Sequence, residues 1–244
     1  MKKNFKEIIN KNWLEIFNEI DEDIFEITEN SYNELVNSNN IIFPFYENIF
    51  NFTNYTLPNN IKVCIIGQDP YHSTFQEIDK TIPQATGLAF SVPKTCKIPP
   101  SLNNIYENLL KFKHIIFKPE HGNLEYWAYQ DVLLLNSSLT VIKSKPNSNQ
   151  GLWSMFTDEL ISIISNKYEK IIFVLWGKDA FNKLNYGIIK NKEKHYFIIS
   201  SHPSPLSANN KFREYNSFMN TDHFGLINEY LKNENNKCID WQII

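Results

Sequence analysis

The sequence predicts an α/β fold in which helices flank a mostly parallel β-sheet. Four short apolar runs have the length of buried strands, and they occur at 62–66, 131–135, 171–175 and 196–199. Helix-like stretches lie between them, and strands that alternate with helices favour right-handed crossovers and parallel pairing. Each run ends in a polar segment. Parallel strands would bring these segments to one edge of the sheet, which is where open α/β sheets bind ligands.

The N-terminal part is predicted to be helical. Apolar residues at helical spacing indicate an amphipathic helix over 5–20, and a second short helix is expected at 30–36. The segment 37–60 is polar and aromatic, and it is expected to be a long irregular connection. No internal repeat or low-complexity linker interrupts the chain. We therefore expect a single domain over 1–244, with residues 1–40 as a helical extension packed on it.

Three helices are expected between the strands. The first spans about 102–112, and Ser101 is expected to cap it because serine hydroxyls accept bonds from the free amides of a first turn. The second covers 153–164, where large apolar residues share one face. The third is a short helix whose beginning is expected over residues 179–184. These helices would supply the crossovers of a parallel sheet.

The composition disfavours two classes of nucleic-acid-binding protein. The net charge is −3, and the chain has 23 lysines but a single arginine, Arg213. This charge argues against a protein that coats nucleic acid. Because arginine makes the commonest specific contact with guanine, a factor that reads base sequence is also disfavoured.

The cysteines and the apolar runs indicate the compartment. Cys64, Cys96 and Cys238 are too far apart for a metal-ligand pair or a disulfide framework, which favours a reducing environment. No run approaches the ~18 apolar residues of a membrane span, and the N-terminus has no apolar signal-peptide run. We therefore expect an intracellular protein, in the cytoplasm or the nucleus, with no membrane association.

The most informative segment is 67–72 (GQDPYH), which directly follows the first strand. Gly67 permits a tight turn, and Pro70 keeps Asp69 out of the helical region, so the carboxylate is expected in a stiff loop. Alone, the segment also reads as a plain turn between a strand and a helix. A second segment at 200–207 (SSHPSPLS) follows the last strand with the same layout, a titratable residue before a proline, which favours a site.

The groups that would converge suit the hydrolysis of a bond with a stable leaving group. The carboxylate of Asp69 could stabilise a developing sugar cation or position water. The imidazole of His202 could hold an oxyanion, and the amide of Asn136 could match a ring imide. Lys178 follows another strand and is expected at the same edge. The sequence has no dinucleotide-binding, P-loop, zinc-deaminase or zinc-protease motif.

Segments 67–72 and 202–207 (HPSPLS) resemble the two signature motifs of family 1 uracil-DNA glycosylases. The resemblance covers about residues 40–242. It continues in order through 87–92 (GLAFSV), 98–102 (IPPSL), 122–128 (GNLEYWA), Gln130, 133–136 (LLLN), 175–177 (LWG), 222–224 (DHF) and 239–241 (IDW). It implies a three-layer sandwich around a central four-stranded parallel sheet. It also implies a DNA repair hydrolase that cleaves the N-glycosidic bond of deoxyuridine and leaves an abasic site.

The resemblance also implies the residues that act on the bond. Asp69 would position the water and stabilise the cationic sugar, and His202 would hydrogen-bond uracil O2 as negative charge develops there. Backbone amides around Gln68 would assist. Because uracil leaves as a stabilised anion, no strong general acid is required. No metal ion and no cofactor are expected.

Base recognition is implied by four positions. Asn136 would bond N3–H and O4 of uracil, where cytosine presents the opposite pattern. Tyr71 would stand against C5 and exclude the thymine methyl, and Phe90 would stack on the flipped base, a contact worth about 1–3 kcal/mol. Gln68 completes the uracil-binding set.

DNA binding is implied by residues on two loops. Leu206 would fill the space that the flipped base leaves. Phosphates would be held by hydroxyl and backbone donors of Ser101, Ser204 and Ser207, with Pro99 and Pro100 belonging to the same DNA-binding set. These contacts ignore base sequence, which agrees with the single arginine. The expected partner is uracil-containing DNA, single- or double-stranded, bound by a monomer, and the sequence leaves protein partners open.

The chain departs from the family pattern in three places. The segment 73–86 is longer than usual, and it adjoins the expected water site. Lys178 stands where the family often has serine. The segment 208–221 is also longer, and we expect it to touch DNA through Lys211 and Arg213.

Two other hypotheses stay open at this point. The first is a catalytically impaired DNA-binding adaptor of a replication complex with the same fold, which the intact Asp69, Asn136 and His202 disfavour. The second is a glycosylase for another damaged base. Tyr71 and Asn136 disfavour that hypothesis.

Overall fold

A parallel sheet of four strands forms the centre of the molecule, seen in a computed structural model that describes residues 2–244. The strands are β1 (Ile42–Phe43), β2 (Val63–Gly67), β3 (Thr74–Glu77), β4 (Lys80–Pro83), β5 (Val132–Asn136), β6 (Val141–Ile142), β7 (Ile172–Trp176) and β8 (Tyr196–Ser200). The α-helices are α1 (Leu14–Phe17), α2 (Glu22–Asn37), α3 (Pro100–Lys111), α4 (Glu125–Ala128), α5 (Gln150–Lys167), α6 (Gly177–Asn185) and α7 (His223–Asn233). Short 3₁₀ turns lie at Phe5–Glu7, Lys11–Trp13, Tyr46–Asn48, Asn51–Asn54, Pro58–Asn60, Lys192–Lys194 and Phe218–Asn220.

The sheet has the strand order β5-β2-β7-β8, and helices flank it. All four predicted strands are confirmed, each within one residue of its expected limits. Every residue of β2, β5 and β7 is buried, as expected for strands covered on both faces. The register pairs Gly67 with Asn136 and Trp176 with Ser200. The polar segments that follow the strands therefore begin at the same edge.

The predicted helices between the strands are present as α3, α5 and α6, and α5 extends beyond its expected limits at both ends. The prediction that Ser101 is the N-cap of the first of these helices is wrong. The cap is Pro99, which has extended backbone, and Ser101 lies inside the first turn. The reason is Pro100, because its fixed φ suits the first helical position. The last helix, α7, was not predicted.

The predicted helix over 5–20 is also wrong. The chain instead forms two 3₁₀ turns followed by the short α1. Asn4 and Asn10 begin the two 3₁₀ turns, since their side chains accept hydrogen bonds from the backbone amides of Lys6 and Asn12. These local hydrogen bonds compete with those of a continuous helix. The second helix is longer than expected, because Asp21 caps it at Glu22.

The N-terminal residues pack against the same core as the sheet. The ring of Phe5 stacks on Trp153 of α5 with 5.5 Å between centroids, and Phe17 meets Phe50 edge-on at 5.4 Å. Phe5 and Trp13 are fully buried. That 1–244 is one domain stays a prediction.

Two segments in which no strand was predicted contain small sheets. Within 37–60, β1 pairs antiparallel with β6. Within 73–86, β3 and β4 form an antiparallel hairpin. Over residues 2–244, no helix has both the length and the apolarity to cross a membrane.

Candidate active site

A cavity of about 220 Å³ opens at the carboxyl edge of the sheet. The loops after β2, β5 and β8 meet around it, together with the segment before α3. The predicted catalytic and uracil-binding residues all line it: Gln68, Asp69, Tyr71, Phe90, Asn136 and His202. Ser101 from α3 lines it as well. Residues more than 130 positions apart in the chain thus share one cavity.

The end of β2 packs tightly against the end of β5. A Cβ atom on Gly67 would lie 2.1 Å from Oδ1 of Asn136, so only glycine fits beside this buried amide. The amide N–H of Ser137 donates to the Gly67 carbonyl at 2.9 Å, and Ser138 donates in the same way to Gln68. These bonds hold the Asn136 side chain over the strand end.

Asp69 is held by a segment from the other side of the cavity. Its Oδ2 accepts a hydrogen bond of 2.8 Å from the backbone N–H of Asn147. Burial raises the pKa of the Asp69 carboxyl above its ordinary value, and the negative charge of Asp179 adds to this shift. The Asn147 N–H and the charge of His72 oppose it. The site therefore contains a carboxylate that is costly to keep charged, which is common for groups that take part in chemistry.

His202 is positioned as a neutral hydrogen-bond donor. Its Nδ1 accepts a bond of 3.1 Å from the backbone N–H of Ser204, so the proton of the neutral ring lies on Nε2. Burial lowers the pKa of this imidazole below its ordinary value, and Asp179 offsets part of the shift. Gly177 has φ of +83°, and a Cβ there would come within 2.9 Å of the His202 Cβ. The close approach of α6 to His202 therefore requires glycine.

Two aromatic residues shape the wall of the cavity. Phe90 has φ of +64°, an uncommon backbone conformation for a bulky residue. Its ring lies 5.6 Å from Trp176 and 5.9 Å from His202, between centroids. The Tyr71 hydroxyl donates to the Phe90 carbonyl at 3.4 Å, and burial raises the pKa of this phenol. Both side chains therefore occupy fixed positions.

The predicted DNA-binding residues lie at the rim on two neighbouring segments, the loop after β8 and residues 99–101 at the start of α3. The side-chain amide of Asn104 in α3 donates to the carbonyl of Pro203 at 2.8 Å and joins the two segments. Ser204 and Ser207 share a hydrogen bond of 2.9 Å. The Leu206 side chain is 90% exposed. At the start of α3, Pro99 is buried and Pro100 is exposed.

Of the two longer segments, 73–86 contributes Ala85 and Thr86 to the wall of the cavity, whereas no residue of 208–221 lines it. Arg213 stacks its guanidinium on the Phe181 ring of α6 at 4.8 Å, while Lys211 is exposed. Lys178 is exposed and lines a neighbouring cavity of about 210 Å³ that it shares with Asp179 and His202. The structure thus places Lys178 beside His202, outside the cavity that holds Asn136.

Sequence reasoning missed Asn147 and Asp179. Asn147 lies in the segment after β6, and Pro146 next to it lines the cavity. The only signal was a proline-asparagine pair, which indicates a turn and gives no sign of what the turn contacts. Asp179 stands in the first turn of α6, where an acidic residue is ordinary. Within residues 2–244, no group of three or more His, Cys, Asp and Glu side chains could hold a metal ion.

The fold and cavity define an α/β protein with a carboxylate, an amide and an imidazole at the carboxyl edge of a parallel sheet. The sequence matches the family model of the uracil DNA glycosylase superfamily over residues 54–232, and the chain therefore belongs to this superfamily.

Individual relatives agree with this assignment. A "Probable uracil-DNA glycosylase" of Acanthamoeba polyphaga mimivirus is 37% identical over 243 residues, and the match covers 95% of this chain and 64% of that protein. A "Uracil-DNA glycosylase" of Blochmanniella floridana is 42% identical over 212 residues, which is 86% of this chain and 88% of that protein. The crystal structure of mimivirus uracil-DNA glycosylase superposes with a TM-score of 0.92 at 36% identity, covering 99% of this chain and 90% of that chain.

These matches confirm the predicted family, the fold class and the broad prediction of a DNA repair glycosylase. The roles of individual residues stay predictions.

Proposed function

We propose that this chain hydrolyses the N-glycosidic bond of deoxyuridine in DNA, releasing uracil and leaving an abasic site. The reaction uses no metal ion, and the sugar-phosphate strand stays intact. The observation that carries this proposal is the meeting of Asp69, Asn136 and His202 around one cavity. Together they offer a carboxylate, a fixed amide and a neutral imidazole donor. The substrate is uracil-containing DNA, single- or double-stranded.

Recognition follows from the shape of the cavity. The buried Asn136 amide offers one donor and one acceptor, which match O4 and N3–H of uracil. Tyr71 stands as a wall at C5 and excludes the thymine methyl. Phe90 stacks on the ring of the flipped base. Base–aromatic stacking of this kind contributes about 1–3 kcal/mol. Cytosine, with the reverse donor pattern, leaves the Asn136 amide unpaired.

The two titratable groups act on different parts of the substrate during bond cleavage: His202 on the leaving uracil, and Asp69 on the sugar and the water. The C1′–N1 bond breaks with its electron pair going to the uracil ring, and Nε2–H of His202 bonds O2 of the leaving anion. The Asp69 carboxylate stabilises the sugar cation and orients the water whose oxygen then bonds C1′. The proton that this water loses passes to Asp69. Because uracil is a stable anion, the neutral His202 need not release its proton.

Binding of DNA depends on the rim. The exposed Leu206 side chain enters the stack where the base leaves it, as apolar wedges do in other DNA-bending proteins. Phosphates on either side are held by donors of Ser101, Ser204 and Ser207, and Pro99 and Pro100 complete the segment that presents Ser101. Flipping of the base is needed because the glycosidic bond cannot be reached inside the stack.

A uracil-containing single-stranded oligonucleotide tests the proposal. The protein is incubated with it in EDTA, and half of the sample is then treated with alkali. We expect a break at the uracil only after alkali, and none in a matched thymine oligonucleotide. A folded protein that binds DNA but causes no break would support the adaptor hypothesis instead. In a parallel panel of oligonucleotides that carry other modified bases, a break at one of those bases but not at uracil would support the glycosylase for another damaged base.

A further inference from the structure

The segment 143–148, between β6 and α5, contacts the catalytic loop at three points. The backbone N–H of Ser144 donates to the His72 carbonyl at 2.9 Å. The N–H of Asn147 donates to Oδ2 of Asp69 at 2.8 Å, and its side-chain Oδ1 accepts from Nε2 of Gln68 at 2.8 Å. One residue thus contacts two neighbouring members of the site through different atoms.

The segment is itself fixed at both ends. It leaves β6, which pairs with β1, and the Ile142 N–H donates to Oγ of Ser148 at 2.8 Å. Lys145 donates to the Ile142 carbonyl at 2.9 Å, and Gln150 at the start of α5 donates to the Asn147 carbonyl. Asn147 is therefore held by elements that do not belong to the catalytic loop.

The backbone of Asn147 is left-handed, with φ of +60°. Asparagine tolerates this conformation better than most residues, whereas a β-branched residue is strained there. The conformation aims the N–H at Asp69. A residue that abandoned it would withdraw the hydrogen bond from Asp69 and the acceptor from Gln68 together.

We propose that Asn147 is a positioning residue for the glycosidic cleavage: it occupies one oxygen of Asp69 and leaves the other free for the sugar and the water. This inference rests on the proposed function. A charged carboxylate prefers a donor at such a distance, so the bond also favours the ionised form that the reaction uses. Positioning of this kind matters because displacement of a reacting group by 1 Å can cost about 100-fold in rate.

Three substitutions test the inference in single-turnover assays at saturating DNA. Asn147→Val should lower the rate by ~10-fold or more, because valine resists the left-handed conformation, while DNA affinity stays near that of the wild type. Asn147→Gly keeps the backbone and the N–H, so it should retain most of the rate. Asn235 is the matched control, since it is exposed, has φ of 56° and follows the end of α7, far along the chain. Asn235→Val should cost stability without changing the rate.

The third substitution, Asn147→Asp, gives a readout that loss of stability cannot mimic. A new negative charge beside Asp69 should move the acidic limb of the pH–rate profile to higher pH. The other titratable groups that face Asp69 are His72 on its own loop, Asp179 of α6 and His202 across the cavity, and the segment itself carries Lys143 and Lys145. They are unchanged in this variant, so a shifted limb reports the charge of the introduced carboxylate.

The outcomes separate the two proposals. If the wild type releases no uracil, the proposed function fails. If the wild type is active, the positioning role is overturned by equal rates for Asn147→Val and Asn235→Val, or by an acidic limb that Asn147→Asp leaves unmoved. Should Asn147→Val not fold, the Asp and Gly variants decide alone.

Discussion

The close contact between Gly67 and Asn136 means that one methyl group added at residue 67 should abolish the position of the Asn136 amide. Because a Cβ on Gly67 would meet the Asn136 Oδ1 at 2.1 Å, Gly67→Ala must displace the amide that we assign to uracil recognition. We expect uracil excision to fall by ~100-fold or more, since displacement of about 1 Å suffices for such a loss. Turnover on a uracil oligonucleotide measures it.

Gly151 in α5 provides the control for this substitution. A Cβ there meets no atom within 4 Å, and the residue is helical. Gly151→Ala should therefore leave turnover unchanged and raise the free energy of unfolding by about 0.5–1 kcal/mol. Equal losses of turnover in the two alanine variants would contradict the role of the Asn136 contact.

The charged carboxylate of Asp69 should be required for turnover and should lower the stability of the fold at neutral pH. Burial raises its pKa in the folded chain, so the carboxyl stabilises the fold at pH values below its unfolded pKa, and this contribution is lost as the pH rises through the folded value. Asp69→Asn removes a charge that is costly at pH 7. We expect turnover to fall by several orders of magnitude, DNA binding to persist, and Tm to rise by about 2–4 °C for each kcal/mol relieved.

Thermal unfolding at pH 7.5 and near pH 4 measures the second effect. The gain in Tm should shrink at the lower pH, because the raised pKa of Asp69 leaves less of the carboxyl charged there in the wild type. Asp79→Asn, at the exposed tip of the β3–β4 hairpin, should change neither turnover nor Tm. A lower Tm for Asp69→Asn at pH 7.5 would mean that the carboxylate stabilises the fold.

Among single residues, the sequence was informative where chemistry and turn geometry coincide. Asp69 and His202 each precede a proline at the end of a strand, so their types and positions could be predicted. Asn147 could not, because it acts through its backbone N–H and an ordinary amide. Its contact with Asp69 spans 78 positions and arises only when β6 and α5 are in place.

At the scale of elements, buried His223 joins the end of β7 to the start of α7. Its Nδ1 accepts from the indole of Trp176 at 3.2 Å, and its Nε2–H donates to the Phe218 carbonyl at 3.1 Å. Burial lowers the pKa of His223 to about 3. Trp176 in turn contacts Phe90 at the cavity wall. The imidazole thus supports the site without lining it.

The fold should therefore lose stability as the pH falls from about 6.5 towards 3, the window between the ordinary and the lowered pKa of His223. Within it the unfolded chain binds a proton that the folded chain excludes, so the contribution is up to about 1.4 kcal/mol per pH unit. Urea unfolding at pH 7.5 and 5 measures it. His223→Asn should be less stable at pH 7.5 and lose less between the two pH values. A constant difference between the proteins would exclude this role.

The elements that could be predicted are those with a continuous apolar pattern. The strands β2, β5 and β7 are buried on both faces and therefore stand out as short apolar runs. The helix expected over 5–20 failed because Asn4 and Asn10 offer the backbone local hydrogen bonds that compete with a helix. The strands of the β3–β4 hairpin have four residues each, and Pro83 is their only buried residue, so no period-two burial pattern indicated them.

At the scale of the molecule, the N-terminal aromatic residues share the core that supports the site. Phe5 is fully buried, stacks on Trp153 at 5.5 Å and meets Phe50 edge-on at 5.2 Å. Trp153 also donates its indole N–H to Thr140, which lies between β5 and β6. The N-terminal extension is therefore connected through two aromatic rings to the strand end that carries Asn136.

We expect Phe5→Ala to lower the free energy of unfolding of the whole chain by about 3–5 kcal/mol, the usual cost of removing a buried ring. Because the ring belongs to the common core, near-ultraviolet circular dichroism and hydrogen exchange in the sheet should report one transition at the same denaturant concentration. Turnover of the folded fraction should stay unchanged. Ile27→Ala is the control: Ile27 lies in α2 and is 64% exposed, so its replacement should change the free energy of unfolding by less than about 0.5 kcal/mol. Two separate transitions, with the sheet protected after the N-terminal residues unfold, would contradict a shared core and make residues 1–40 an independent unit.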